Sequence, residues 1–113
     1  MTKVDKLAAE KLIITEAFKA AEAGAQNLID KNPGIWYPCG FSWVNIRPAR
    51  GPFVKALKEM NIGHVDSFEG GYTVYNPSGN GTQWMNAKEA GSDAFATVLQ
   101  KHGVNAVVRS RID

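Results

Sequence analysis

Cys39-Gly-Phe-Ser-Trp-Val-Asn-Ile46 is followed by Arg47-Pro-Ala-Arg-Gly51 and then by Pro52-Phe-Val-Lys-Ala-Leu-Lys-Glu-Met60. The first piece reads as a β-strand. Successive strand side chains point to opposite faces, so Phe41 and Trp43 share one side and Val44 and Ile46 the other. The middle piece is a loop. Pro52 suits the first position of a helix, where its missing N–H costs nothing. Phe53, Ala56, Leu57 and Met60 then line one helical face, and Gly63 ends it.

Working outward, His64 to Phe68 and Tyr72 to Tyr75 flank Glu69-Gly70-Gly71. Glycine supplies the positive φ of a tight turn, so this reads as a hairpin. Asn76 to Gly81 is a long loop. A helix follows, with Asn86 as its expected cap and Glu89 three residues on. Ala90, Ala94, Phe95, Val98 and Leu99 form its expected buried face. Lys101 and His102 suit the negative end of the helix dipole, and Gly103 is the stop. Val104 to Val108 reads as the last strand. The order strand, helix, strand, strand, helix, strand predicts an α+β fold with a ferredoxin-like βαββαβ antiparallel sheet.

Before it, residues 5 to 31 lack proline and predict one long N-terminal helix. Thr2 with Asp5 can cap its start, and Asn32-Pro33 ends it. Leu7, Ile14, Phe18, Ala21, Ala25 and Leu28 make the main apolar stripe. Leu12, Ile13 and Ala17 suggest a second strip, on which a protein partner or a second copy of the chain is expected to pack. Ile35-Trp36-Tyr37-Pro38 is a proline-broken lead-in. The expected organisation is a single domain over residues 1–113, divided into the helix (1–32) and the α+β unit (33–113).

Composition narrows the function. The chain has 113 residues, with 13 Lys and Arg against 11 Asp and Glu, a net charge of +2. That charge is too small to argue for nucleic acid alone. No apolar run approaches the roughly 20 residues of a membrane span, so no membrane partner is expected. The single Cys39 forms no internal disulfide, and the first residues lack the apolar stretch of a signal peptide. A cytoplasmic location is therefore expected.

The catalytic motifs are missing. There is no phosphate loop, no nucleophile elbow, no zinc-protease motif and no dinucleotide fingerprint. Cys39, His64 and His102 are too scattered for a metal site. No catalytic residue, metal or cofactor is expected, and Cys39 is expected to be a buried thiol. Two constellations point to binding. Phe41 and Trp43 on the first strand, with Tyr72 and Val74 on the third, can share a sheet face. RNA-recognition motifs stack bases on those two strands. Gly71-Tyr72-Thr73-Val74-Tyr75 faintly resembles their third-strand motif, without its leading basic residue. Arg47 and Arg50 follow the first strand and Arg109 and Arg111 end the last, so the two pairs are expected at opposite ends of the sheet.

Cys39-Gly-Phe-Ser-Trp-Val, Tyr75-Asn-Pro, Ala87-Lys-Glu-Ala-Gly and Ser110-Arg-Ile-Asp together resemble a family of small uncharacterised proteins of tailed bacteriophages. The likeness spans about Pro38 to Asp113. Ser42 and Ser92 stand where that pattern has alanine. The resemblance brings no activity. It implies a phage-encoded accessory protein of the host cytoplasm, and it singles out Lys88, Glu89, Ser110, Arg111 and Asp113. The leading expectation is a non-enzymatic protein that binds a host or phage macromolecule. The next is a nucleic-acid module using the sheet aromatics and arginines. The third is a small-ligand protein or enzyme with a pocket near Cys39, Trp43 and Arg109.

Overall fold

The computed structural model describes residues 2–33 and 38–113. The expected lead-in at Ile35, Trp36 and Tyr37 lies outside them. Three helices and four strands follow one another as α1 (Lys3–Lys31), β1 (Gly40–Ile46), α2 (Pro52–Glu59), β2 (His64–Val65), β3 (Tyr72–Tyr75), α3 (Met85–Lys101) and β4 (Ala106–Ile112). The fold is α+β: a long N-terminal helix, a four-stranded antiparallel sheet and two further helices. The strand order is β2-β3-β1-β4.

Local chemistry sets most of these limits. The Thr2 hydroxyl accepts the Asp5 N–H at 3.1 Å and starts α1. Asn32 closes it. Pro52 opens α2. The start of α3 departs from expectation. Asn86 lies inside the helix, and the cap position is Trp84, whose N–H bonds the Thr82 hydroxyl at 3.1 Å. Strand β2 stops after two residues because Asp66 Oδ1 accepts the N–H groups of Phe68 and Glu69, each at 2.9 Å. That bonding curls the chain into a turn. Strand β4 runs past Val108 to Ile112, since β1 offers it a full-length antiparallel partner, from Gly40↔Ile112 to Ile46↔Ala106.

One face of the sheet is covered. Val44, Ile46, Tyr72, Val74 and Ala106 meet Phe53, Val54 and Leu57 of α2 and Phe95, Ala96 and Leu99 of α3. Helix α3 touches both the strands and α1, which runs along it. The two helices approach closely because small residues meet. A Cβ on Gly91 would stand 3.1 Å from the Ala21 carbonyl oxygen and 2.7 Å from Ser78 Cβ. Ile14, Ala17, Ala21 and Ala25 are fully buried in that seam.

The second strip of α1 does not exist as a surface. Ala17 belongs to the buried stripe and Ile13 packs on the core, while Leu12 is 72% exposed. At 3.6 residues per turn, Ile13 and Ala17 lie about one turn apart on the core side, while Leu12 is turned about 100° away from Ile13. Ser42 and Ser92 are both buried and bond each other at 2.8 Å. Each satisfies the other, so the pair leaves no orphaned hydroxyl. Cys39 is exposed, contrary to the expected buried thiol.

Candidate functional site on the open sheet face

Among the described residues, no helix covers the other sheet face. Strand alternation places Phe41, Trp43 and Asn45 of β1 there, and antiparallel register adds their neighbours. Trp43 stands opposite Tyr75 of β3 and Arg109 of β4. Phe41 stands opposite Arg111. Asn45 stands opposite Thr73, which in turn pairs with His64. Phe41, Trp43, His64, Asp66, Thr73, Tyr75 and Arg111 line a shallow recess of about 310 Å³. The Phe41 and Tyr75 rings are 6.2 Å apart, tilted by 42°.

Three cations border the aromatics. The Arg111 guanidinium lies 5.5 Å from the centre of the Phe41 ring and Lys88 Nζ lies 5.4 Å from it, both within cation–π range. Lys88 is buried and donates to the Gly40 carbonyl at 3.0 Å. Arg109 reaches the face from β4.

The turn between β2 and β3 folds back onto this face. It covers Asn45, which is fully buried although no described helix lies over it. Asn45 Nδ2 donates to the Gly70 carbonyl at 2.8 Å. Glu69 is the hub. Its Oε2 accepts Arg109 Nε at 2.6 Å and Arg47 Nη2 at 3.4 Å, and its Oε1 accepts Trp43 Nε1 at 3.4 Å. Arg47 also donates to Asn45 Oδ1 at 2.9 Å and to the Glu69 carbonyl at 2.8 Å.

These bonds set the titration of the turn. The Arg109 hydrogen bond, supported by the Trp43 N–H and both arginine charges, holds the Glu69 carboxyl below its usual range against the opposing effect of burial. Two backbone N–H groups and the Thr73 hydroxyl do the same for Asp66. A carboxyl whose value is depressed by folding stabilises the fold above its ordinary pKa of about 4, and that contribution is lost as pH falls through the folded value. Acidification below about pH 4 should therefore release the turn first. Amide exchange at Phe68 and Glu69 should accelerate there before the core amides do, and should be insensitive to these groups between about pH 5 and 8.

The expected site residues divide. Phe41, Trp43, Arg109 and Arg111 assemble on the open face, and Arg47 joins them. The two arginine pairs were expected at opposite ends, but Glu69 draws Arg47 and Arg109 onto one carboxylate. Tyr72 is corrected. It is 2% exposed on the covered face, pairs with Ile46, and its hydroxyl donates to the Ile62 carbonyl at 2.6 Å. Burial pushes that hydroxyl's pKa up. Val74 lies on the same covered face. Tyr75, one residue beyond, takes the place expected of Tyr72, and it is 51% exposed. Arg50 is exposed in the loop before α2 and does not line the recess. Glu89 lies on α3 away from the recess; with burial as the larger cause, it raises the pKa of Asp93. Cys39 likewise lies outside the recess that holds Trp43. Reading residues 69–71 only as a turn missed Glu69. An acidic residue beside two glycines, in a chain with arginines after strand one and in strand four, was the available signal.

Among the described residues, no cluster of three histidine, cysteine or carboxylate groups is placed to hold a metal ion. No described helix is long and apolar enough to cross a membrane. No family model, curated protein or solved structure matches the chain.

Proposed function

We propose that this chain is a non-catalytic binding protein that holds single-stranded nucleic acid on the open face of its sheet. One observation carries the reading: Phe41, Trp43 and Tyr75 lie together on the two central strands, uncovered by any described helix and bordered by Arg109 and Arg111. Unstacked bases bind aromatic faces with little sequence preference, and neighbouring cations follow the phosphates. The strand order β2-β3-β1-β4 supports a ferredoxin-like arrangement, in which these two strands are the natural stacking platform. The near-neutral total charge fits a short binding track of few phosphates better than wrapping of a duplex. Under the phage resemblance, the setting is an accessory role in the cytoplasm of an infected host.

The test is a fluorescence-anisotropy titration of the purified chain with labelled single-stranded DNA and RNA oligonucleotides at several salt concentrations. Binding to single strands, weaker to duplex of equal length, with affinity falling as salt rises, is the expected result. Equal binding to duplex, or no binding at about 50 mM salt, would discard the reading.

A further inference from the structure

We propose that Arg47 and Arg109 form a phosphodiester site that the chain's own Glu69 carboxylate fills until a bound strand displaces it. The proposal rests on the open face being the nucleic-acid surface.

Arg47 lies just beyond the end of β1, and Arg109 lies within β4. Two guanidinium groups brought to one point repel each other unless an anion sits between them. Glu69 is that anion, within 2.6 Å of Arg109 Nε and 3.4 Å of Arg47 Nη2. A carboxylate and a phosphodiester present the same recognition chemistry to arginine: a negative group with two acceptor oxygens for paired N–H donors. Arg47 is already oriented by Asn45 Oδ1 and by the Glu69 backbone carbonyl, so that half of the site keeps its orientation when the carboxylate leaves.

The geometry also allows the exchange. The arginine side chains are 45% and 44% exposed, so a strand can reach them from solvent. Glu69 can leave by rotating its own side chain. Gly70 and Gly71, at φ +84° and +75°, form the joint behind it. The tip residue Phe68 is fully exposed, so no apolar contact pins the turn from above. The base of the turn stays anchored through Asp66 and through Asn45 to Gly70. Departure of the carboxylate also frees the Trp43 indole N–H, which lies beside Tyr75 on the stacking face. Phosphate binding and base stacking are thereby coupled through one side chain.

The coupling has a measurable sign. In the wild-type chain, a phosphate entering this site displaces a carboxylate that is already neutralising the arginines. In Glu69→Gln the arginines carry solution anions, whose release adds to the salt dependence of binding. The experiment titrates wild-type chain, Glu69→Gln and Glu69→Asp with a labelled oligo(dT) of about 12 nucleotides, within the usual site size of such surfaces. Glu69→Gln should bind about tenfold more tightly, and its log–log salt slope should be steeper than that of the wild-type chain. Glu69→Asp keeps the charge and should stay near wild type. Arg109→Ala placed on Glu69→Gln should erase the gain. Thermal melts of every variant establish that each is folded. If wild type binds but Glu69→Gln binds no tighter, the displacement site is refuted while the stacking face stands. If none of the folded chains binds oligo(dT), both the site and the open-face reading are refuted.

Discussion

Phe95→Ala should lower the free energy of unfolding by about 3–5 kcal/mol, the range for removing a buried aromatic side chain. Phe95 is fully buried on α3, the helix that touches both the sheet and α1. Its ring meets the Phe18 ring edge-on, with centroids 4.9 Å apart and planes at 67°. Truncation therefore leaves a void where sheet, α3 and α1 come together, and it removes an aromatic pair as well. The surroundings cannot collapse to fill it. The α1–α3 seam is already at close approach along Ala21 and Gly91, so neither helix has room to shift inward. Against a typical total of about 5–15 kcal/mol, the loss leaves a marginal fold. Urea denaturation followed by far-UV circular dichroism measures it. Phe95→Leu, which retains most of the volume, should lose clearly less, as milder core truncations do. A loss below about 1 kcal/mol for Phe95→Ala would mean that α1 and α3 do not share this core.

The architecture was readable where a residue's role depends on its own neighbours in sequence. Thr2 with Asp5, Pro52 and the alternation from Phe41 to Ile46 act locally, and each sets its element as expected. The errors arise where the outcome depends on distant pairing. Strand β4 extends to Ile112 only because β1 is seven residues long and lies beside it. Strand β2 shortens because the Asp66 carboxylate competes for the N–H groups that would otherwise continue the ladder. The face of Tyr72 was misjudged for the same reason. Whether Tyr72 or Tyr75 joins Trp43 depends on the register between β1 and β3, and the three-residue offset between them reverses the face. The candidate site was half legible. Its aromatics and arginines announce themselves by residue type, but Glu69, Asp66 and His64 acquire meaning only when the turn folds back over β1.

Replacing both Phe41 and Tyr75 with alanine should weaken single-strand binding by at least about 30-fold while leaving the fold nearly intact. Stacking on an aromatic side chain contributes about 1–3 kcal/mol per base, and each 1.4 kcal/mol is a factor of ten. Two platforms of that size multiply to the stated loss if each takes one base. The rings are 6.2 Å apart and tilted, so adjacent bases can use both without forming a single stack. Stability should change little, because Tyr75 is half exposed and Phe41 only partly buried, on the face opposite the core. This separates the double variant from Phe95→Ala, which attacks the fold and not the surface. Tyr75→Phe retains the ring and should bind like wild type, which distinguishes stacking from hydroxyl recognition. Tyr72→Phe, on the covered face, should cost stability through the lost bond to the Ile62 carbonyl yet leave affinity unchanged. Arg50→Ala, outside the recess, should change neither. If the folded double variant binds oligonucleotide as well as wild type, any nucleic acid is held elsewhere and the open face is not the platform. A loss caused by Arg111→Ala but not by the aromatic pair would leave an anion site without stacking.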